Sequence, residues 1–588
     1  MKKTLYWTFT LLFPFLLLGL GELLLRVGGY NEEVQDLFIE VTSQPDYLIT
    51  NPEFVARYFP AFKPQVAPST FRKNKPRDTF RVFVMGGSST QGFPYNFYNS
   101  FPMKLEERLL METNGLKIEV INLGMTAVNS FVIWDLSSRL IEYDPDAIII
   151  YAGHNEYYGS FGAGSTQFGF GQGVGLKRLI LNLKNWRLYQ LIEQLMKSVK
   201  PAGNDGRTMM AKVVKDAGIE LNGDLFDAGI EQFEKNIGDV VEILGSNDIP
   251  LYIGTVASNL KDQPPLSDNA EAIEKYEEAL SLYEDGDTES SLKFFLQAKE
   301  LDELRFRASE QLNASIQRLS KPDNVFLVDV EEMLRRNSQS GIEGESLFVD
   351  HLHPNSRGHK LIADLYFEHL LKREEISDRY SPNVFDTPNG ITRFEQIYAK
   401  VNIDRLLVGY PFQKGLSRAE ENRIFENLYN NLLKSSYIDS LAAFSKVNLE
   451  SVPEALNQVV DHEKREGDTL SVMSHYYELL NWQLNSINLI ELAIEYGVNN
   501  PEVETYLVNI IEKVLNKGAY DPRYMNVLSA IYLNNRAPEK AKYWLDESLR
   551  LKSTEPILFY NLTRYYFLKS DTAKANVFYN RFLQARQR

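Results

Sequence analysis

Ser88, Ser89 and Thr90 place three hydroxyls directly after the apolar run Val82, Phe83, Val84, Met85, with Gly86 and Gly87 between. Such a cluster at a strand end suits a phosphate cradle, a turn or helix cap, or a nucleophile. The phosphate reading fails on spacing: a P-loop needs a lysine after its last glycine, and Gln91 and Gly92 stand elsewhere. A G-x-S-x-G elbow also fails, because Thr90 occupies the final glycine position. A nucleophilic serine on another strand–turn–helix needs a base, since the hydroxyl is weak at its own pKa. Ser88 as a plain helix cap is the bland alternative, and Ser89 and Thr90 read as caps or turn ligands.

The stretch FVDHLHPNSRGH (348–359) supplies the base. Asp350 and His353 stand three apart, so on a helical turn they share a side. The carboxylate then accepts from Nδ1–H, and Nε2 is left to take a proton from Ser88. Asp350, His351, His353 and His359 also read as a metal cluster. That needs an entire ligand shell from one short segment without cysteine, and the expectation is no metal. Oxyanion donors come from strand ends: Gly124 N–H in INLGMT, the Asn155 amide in YAGHNEY, and the N–H of Ser88 itself. His154, and Asn259 and Lys261 in SNLKDQPP (258–265), are candidate substrate-rim residues. Arg305 and Arg307 read as partners of nearby Asp302 and Glu303.

These residues need a scaffold, and the pattern between about 78 and 375 provides one. Apolar strand runs at 79–85, 117–124, 146–153, 249–256 and 324–330 alternate with helical patterns at 100–113, 129–143, 230–247 and 356–373. Strands apolar on both faces imply a parallel sheet covered by helices. Its ligand crevice lies at the strand carboxyl ends, where the candidate residues fall. Residues 157–175, rich in Gly and aromatics, read as a flexible loop there, with a lid as one reading. Residues 270–302 read as a helical hairpin inserted at about 265–310. Residues 30–77, with scattered prolines and little periodicity, read as a juxtamembrane connector.

Beyond 376 the chain reads as helical throughout, with a connector over 376–450 and repeats over 451–588. Superposing 527–551 on 561–585 aligns Leu528 with Leu562, Tyr532 with Tyr566 and Ala541 with Ala575. The offset is the ~34-residue tetratricopeptide period. Such repeats imply a protein or peptide partner.

At the other end, Lys2 and Lys3 precede an uncharged stretch, Thr4 to Gly21, that spans roughly 27 Å as a helix. The expectation for 1–29 is a membrane anchor, with a cleaved signal peptide as the rival. Either leaves the bulk outside the cytoplasm, in a bacterial periplasm or at a cell surface. The 588 residues carry a net charge of −16, which argues against nucleic acid as a partner. With no cysteine, disulfides and thiolate chemistry are excluded.

Taken together, GGSST (86–90), NLG (122–124), GHN (153–155) and DHLHP (350–354) resemble, in order, the four motif blocks of the SGNH (GDSL-type) hydrolase family. Gly87 stands where that family often has aspartate, and Glu156 departs from the Asp often found after the asparagine. The resemblance covers roughly 78–373. It implies an α/β, flavodoxin-like three-layer fold with strand order 2-1-3-4-5 and no cofactor. It also implies a Ser88–His353–Asp350 triad with Ser88, Gly124 and Asn155 as oxyanion donors. The expected activity is a serine esterase acting on an acylated small molecule, lipid or glycan. An O-acyltransferase acting on a cell-surface polysaccharide and a non-catalytic tetratricopeptide scaffold are the alternatives.

Overall fold

The computed structural model describes residues 2–31, 36–59, 64–165, 173–199, 218–385, 388, 391–447, 451–482, 487–516 and 521–587. Eight strands are present among them: β1 (Phe38–Val41), β2 (Gln44–Thr50), β3 (Thr70–Arg72), β4 (Thr79–Gly86), β5 (Lys117–Gly124), β6 (Ala147–Tyr151), β7 (Leu251–Gly254) and β8 (Val325–Val328). The last five form a parallel sheet in the order β5-β4-β6-β7-β8. Counted from β4 this is the expected 2-1-3-4-5.

Every residue of β4 is buried, as is every residue of β6. That explains their unbroken Val, Ile, Phe and Met runs, since both faces lie under helices. Helices Phe101–Glu112 and Ser356–Leu370 pack together, as do Ser130–Leu140 and Asp224–Gly245, and these two pairs cover the sheet. The chain reverses its direction of winding at β4, so β4, β5 and β6 carry their carboxyl ends to one crevice.

The segment 30–77 is more than a connector. Its β1, β2 and β3 form a small antiparallel sheet. Phe38 and Phe71 pack edge to face and join the same core as Phe83. Arg57 is buried here and pairs with Asp135 on helix Ser130–Leu140 at 2.9 Å. Pro45 lies within β2, and Pro52, Pro64, Pro68 and Pro76 lie outside the strands.

Residues 157–165 are likewise packed rather than free. Tyr157, Tyr158, Phe161 and Ala163 are buried, and tight backbone bonds such as Gly164 N–H to Tyr157 O (2.8 Å) fold the segment on itself. Of the aromatics that suggested a lid, Tyr157, Tyr158 and Phe161 fill the core instead. Residues 166–172 lie outside the described residues. The inserted hairpin is present as Ala270–Glu284 and Thr288–Leu301, capped by Asn269 and Asp287.

The helix Lys2–Val27 contains a span, Thr10–Val27, long and apolar enough to cross a membrane or serve as a signal sequence. From Arg393 onward the described elements are helices. Helix starts at Pro522 and Pro538 are followed, at the offset seen in the sequence, by starts at Pro556 and Thr572. Leu528, Leu562, Ala541 and Ala575 are buried at the seams, as the superposition requires. These helices dock on the sheet domain. Lys513 reaches Glu107 at 3.0 Å, and Lys540 donates to the Met111 carbonyl, both on helix Phe101–Glu112.

Candidate active site

Gly86 ends β4, and Gly87 turns the chain into the short helix Ser88–Gln91. Ser88 therefore opens a helix at the carboxyl end of β4, between β5 and β6 in the sheet. Its backbone N–H is one of the donors left free by the first turn. Ser88 Oγ lies 2.7 Å from His353 Nε2, and His353 Nδ1 lies 2.6 Å from Asp350 Oδ2.

Asp350 and His353 meet through a bent loop rather than the helical turn expected from their spacing. Asp350 Oδ1 accepts the N–H groups of Leu352 and His353, both at 2.9 Å, and so folds the loop around its own carboxylate. Val349 N–H donates to His353 O at 3.0 Å and closes it. The carboxylate thus accepts three bonds in all. Burial opposes its charge, but the adjoining His353 and His351 hold the Asp350 carboxyl well below its ordinary value. It stays ionised and orients the imidazole.

Asn155, after β6, stands beside Ser88 in the same cavity, and among the described residues no acceptor takes its side-chain amide. Gly124 does not supply a free donor. Its N–H already donates to Asn122 Oδ1 at 2.8 Å. A side chain there would meet the Gln91 backbone nitrogen at 2.2 Å, so Gly124 is small to let helix Ser88–Gln91 lie on β5. The reading from sequence missed Ala127. It lines the cavity, has a left-handed φ of 60°, and among the described residues its N–H finds no backbone acceptor. The signal was weak, since nothing in MTAVN (125–129) marks an alanine for that backbone region.

The rim residues are also corrected. Asn259 is buried and donates to the Asp350 carbonyl at 3.1 Å, so it holds the triad loop from behind. Lys261 pairs with Asp262 at 3.2 Å and lies over the Tyr283 ring. His154 accepts the Ala308 N–H at 3.1 Å, and burial pushes it down to about 3, so it is neutral. None of the three lines the cavity. Of the remaining hydroxyls, Thr90 donates to the Tyr151 carbonyl at 3.1 Å, while Ser89 is buried without a partner. Arg307 pairs with Asp302 at 3.1 Å, whereas Arg305 donates to the Ile219 carbonyl.

Donor atoms of Asp350, His351 and His353 lie within 4.8 Å of one another. His353 is committed on both ring nitrogens to Ser88 and Asp350, which leaves no lone pair for an ion. His359 is separate: it sits edge-on to Tyr95, and burial pushes it down to about 3.

The cavity over the triad has a volume of about 420 Å³. Phe93 stands against the His353 ring at 4.6 Å, and Tyr158 and Phe306 line one wall. Helix Arg393–Leu407 forms the opposite side. Its Tyr398, Asn402, Arg405 and Leu406 recur at helical spacing and so share one face. Asn402 donates to the Pro94 carbonyl at 2.6 Å, and Glu395 accepts both the N–H and the amide of Asn96.

The family model for GDSL-like lipase/acylhydrolase matches residues 82–366. None of the curated proteins matches this chain. Similar solved structures include a lipolytic protein of the G-D-S-L family from Desulfitobacterium hafniense, with 15% identity over 49% of this chain and 98% of that one, TM-score 0.23. A GDSL-like lipase from Bacteroides thetaiotaomicron shares 12% identity over 51% of this chain and 92% of its own, TM-score 0.26. A catalytic mutant of an acetylxylan esterase from Geobacillus stearothermophilus shares 14% over 50% and 94%, TM-score 0.27. With the parallel sheet in place, the chain carries, over residues 82–366, a domain of the GDSL-like lipase/acylhydrolase family.

Proposed function

We propose that this protein is a serine esterase with Ser88 as nucleophile, held at the outer face of a membrane by its N-terminal helix. The observation that carries the reading is the hydrogen-bonded line from Ser88 Oγ through His353 to Asp350, at 2.7 and 2.6 Å. As His353 Nε2 takes the hydroxyl proton, Oγ bonds to the ester carbonyl carbon and the carbonyl oxygen becomes an oxyanion. The N–H of Ser88, the Asn155 amide and, in place of Gly124, the N–H of Ala127 are the donors to that oxyanion. The imidazolium next to ionised Asp350 then protonates the leaving alcohol as the C–O bond breaks. Water gives a proton to His353 and attacks the acyl group. Collapse breaks the bond to Oγ and returns the proton to Ser88, releasing a carboxylic acid.

Replacing Ser88 by Ala removes the nucleophile without disturbing the core, and kcat falls by several orders of magnitude. The check is a short-chain ester assay on both proteins, with phosphonofluoridate labelling of Ser88. Equal rates, or a wild type that resists the label, overturn the hydrolase and favour a scaffold.

A second reading rests on the size of the cavity, which has room for an acceptor beside the acyl group. A polysaccharide hydroxyl in the place of water gives an O-acyltransferase by the same steps. Acylated glycan among the products, with an oligosaccharide acceptor present, separates it from hydrolysis. The paired C-terminal helices support a tetratricopeptide-like array with a peptide partner, which retention of the full-length chain on an immobilised peptide library tests.

A further inference from the structure

The wall contributed by the helical region carries a charge pattern at odds with the rest of the molecule. The chain has 79 acidic against 63 basic residues, yet among the described residues no carboxylate lines the cavity over Ser88. Two cations do, Arg405 and Lys446. Both are half-buried, and neither has a carboxylate within ion-pair distance among the described residues. Arg405 spends one N–H on Asn422 Oδ1 at 3.0 Å and lies 5.1 Å from the Phe425 ring centre. Its guanidinium has five N–H donors, so most remain unspent. Lys446 lies 4.6 Å from the Tyr398 ring centre and 3.3 Å from its hydroxyl. The nearest carboxyl influencing it is Glu395, which is engaged by Asn96 and which burial pushes up toward its neutral form.

An unpaired cation in a half-buried place is costly unless a partner arrives. Surface cations on an acidic protein find carboxylates readily, as Lys400 does with Asp404 one turn from Arg405. The exceptions here face the same cavity as the triad and come from two different helices, Arg393–Leu407 and Tyr437–Val447.

We infer, resting on the hydrolase reading above, that Arg405 and Lys446 bind a negative charge carried by the substrate, so that the enzyme acts on anionic esters. The helical region is then the specificity wall of the active site. The charge is a carboxylate or a phosphate, held by charge-assisted hydrogen bonds in a place where solvent screens them little. Its source is an acidic sugar in an acylated glycan or the headgroup of an anionic lipid.

The experiment uses the full-length protein and two matched pairs of esters. One pair is an acetylated uronic-acid oligosaccharide and its neutral acetylated counterpart. The other is a lysophosphatidylglycerol and a monoacylglycerol of the same chain. The quantity read is the ratio of kcat/KM for the anionic member to that for the neutral one. Wild type gives a ratio of tenfold or more in at least one pair, and that pair names the source. Arg405→Gln and Lys446→Gln each lower the ratio several-fold through KM, while Lys446→Arg retains it. Unfolding temperatures confirm that each variant folds. A wild-type ratio near one in both pairs, or a ratio the Gln variants leave unchanged, overturns the inference while Ser88-dependent turnover leaves the hydrolase standing. Absence of Ser88-dependent turnover on all four esters overturns both.

Discussion

A methyl group at position 87 would meet Asn155 Nδ2 at 2.7 Å. The backbone of Gly87 is unstrained, with φ −84°, so conformation does not require glycine there; the approach of the Asn155 amide does. Gly87→Ala pushes that amide off the oxyanion position. kcat falls by about 10–100-fold with little change in unfolding temperature, against the roughly 10²–10³ expected for complete loss of a donor in Asn155→Ala. Wild-type kcat in Gly87→Ala refutes the assignment. A second residue reports on stability. Glu343 is buried, pairs with Arg335 at 3.1 Å through one oxygen, and leaves the other without a partner. Burial, partly offset by Arg335, pushes its carboxyl up from 4.5 to about 7. The folded state thus holds this proton to higher pH than the unfolded state does. Its contribution to stability is complete below about 4.5 and is lost as pH rises through about 7. Glu343→Gln cannot lose the proton, so its stability, read by denaturant unfolding, gains on wild type between pH 4 and 8 by up to on the order of 3 kcal/mol. A difference that stays flat across that range contradicts the assignment.

Among elements, the turn Phe54–Arg57 between the strands of the small antiparallel sheet is tied to the parallel-sheet domain by a buried constellation. Arg57 and the Tyr58 hydroxyl both donate to Asp135, at 2.9 and 2.7 Å, and Arg57 also reaches the Leu181 carbonyl. Removing the carboxylate leaves Arg57 charged in a dry site. Asp135→Ala therefore destabilises the protein by roughly 3–5 kcal/mol, read by denaturant unfolding, whereas an exposed pair such as Lys73–Glu40 is worth under about 1 kcal/mol. Equal costs for the two would mean that the segment 38–72 is not part of the folded core. The strands and major helices around the site follow closely from sequence period, because each buried face imposes its own repeat. The sheet at 38–72 does not, because β1 and β3 have only four and three residues and the first three residues of β2 are exposed, so no apolar run marks it.

At the scale of the whole molecule, the apolar span Thr10–Val27 of the first helix is mostly exposed: only 6% of it is buried in the protein. An apolar surface of that length suits a lipid environment or a signal sequence. The full chain is expected to sediment with membranes and resist extraction by salt, and removal of residues 2–27 releases it to the soluble fraction. Protease added outside the cytoplasmic membrane digests it. Digestion only after lysis, or a soluble full-length chain, refutes the tether and its orientation. The same scale explains why the docked helices matter to the site. Helix Arg393–Leu407 lies some 300 positions after Ser88, yet Glu395 and Asn402 bond the loop at 94–96 that leads away from it.

What the sequence by itself determined is the strands and helices of the sheet domain and the candidates Ser88, His353 and Asp350, whereas the strand order came from the family resemblance. Apolar period and local motifs encode these within stretches of a few residues, and the three side chains have too few alternatives of the right chemistry. Tertiary structure alone decided which N–H groups are free. Gly124 and Ala127 differ in whether a neighbouring oxygen, Asn122 Oδ1, has already claimed the donor, and that depends on a fold no local pattern carries. It alone also decided that Asn259 props the triad loop while Arg405 and Lys446 face the cavity, because charge and spacing do not reveal which partners the rest of the chain brings within reach.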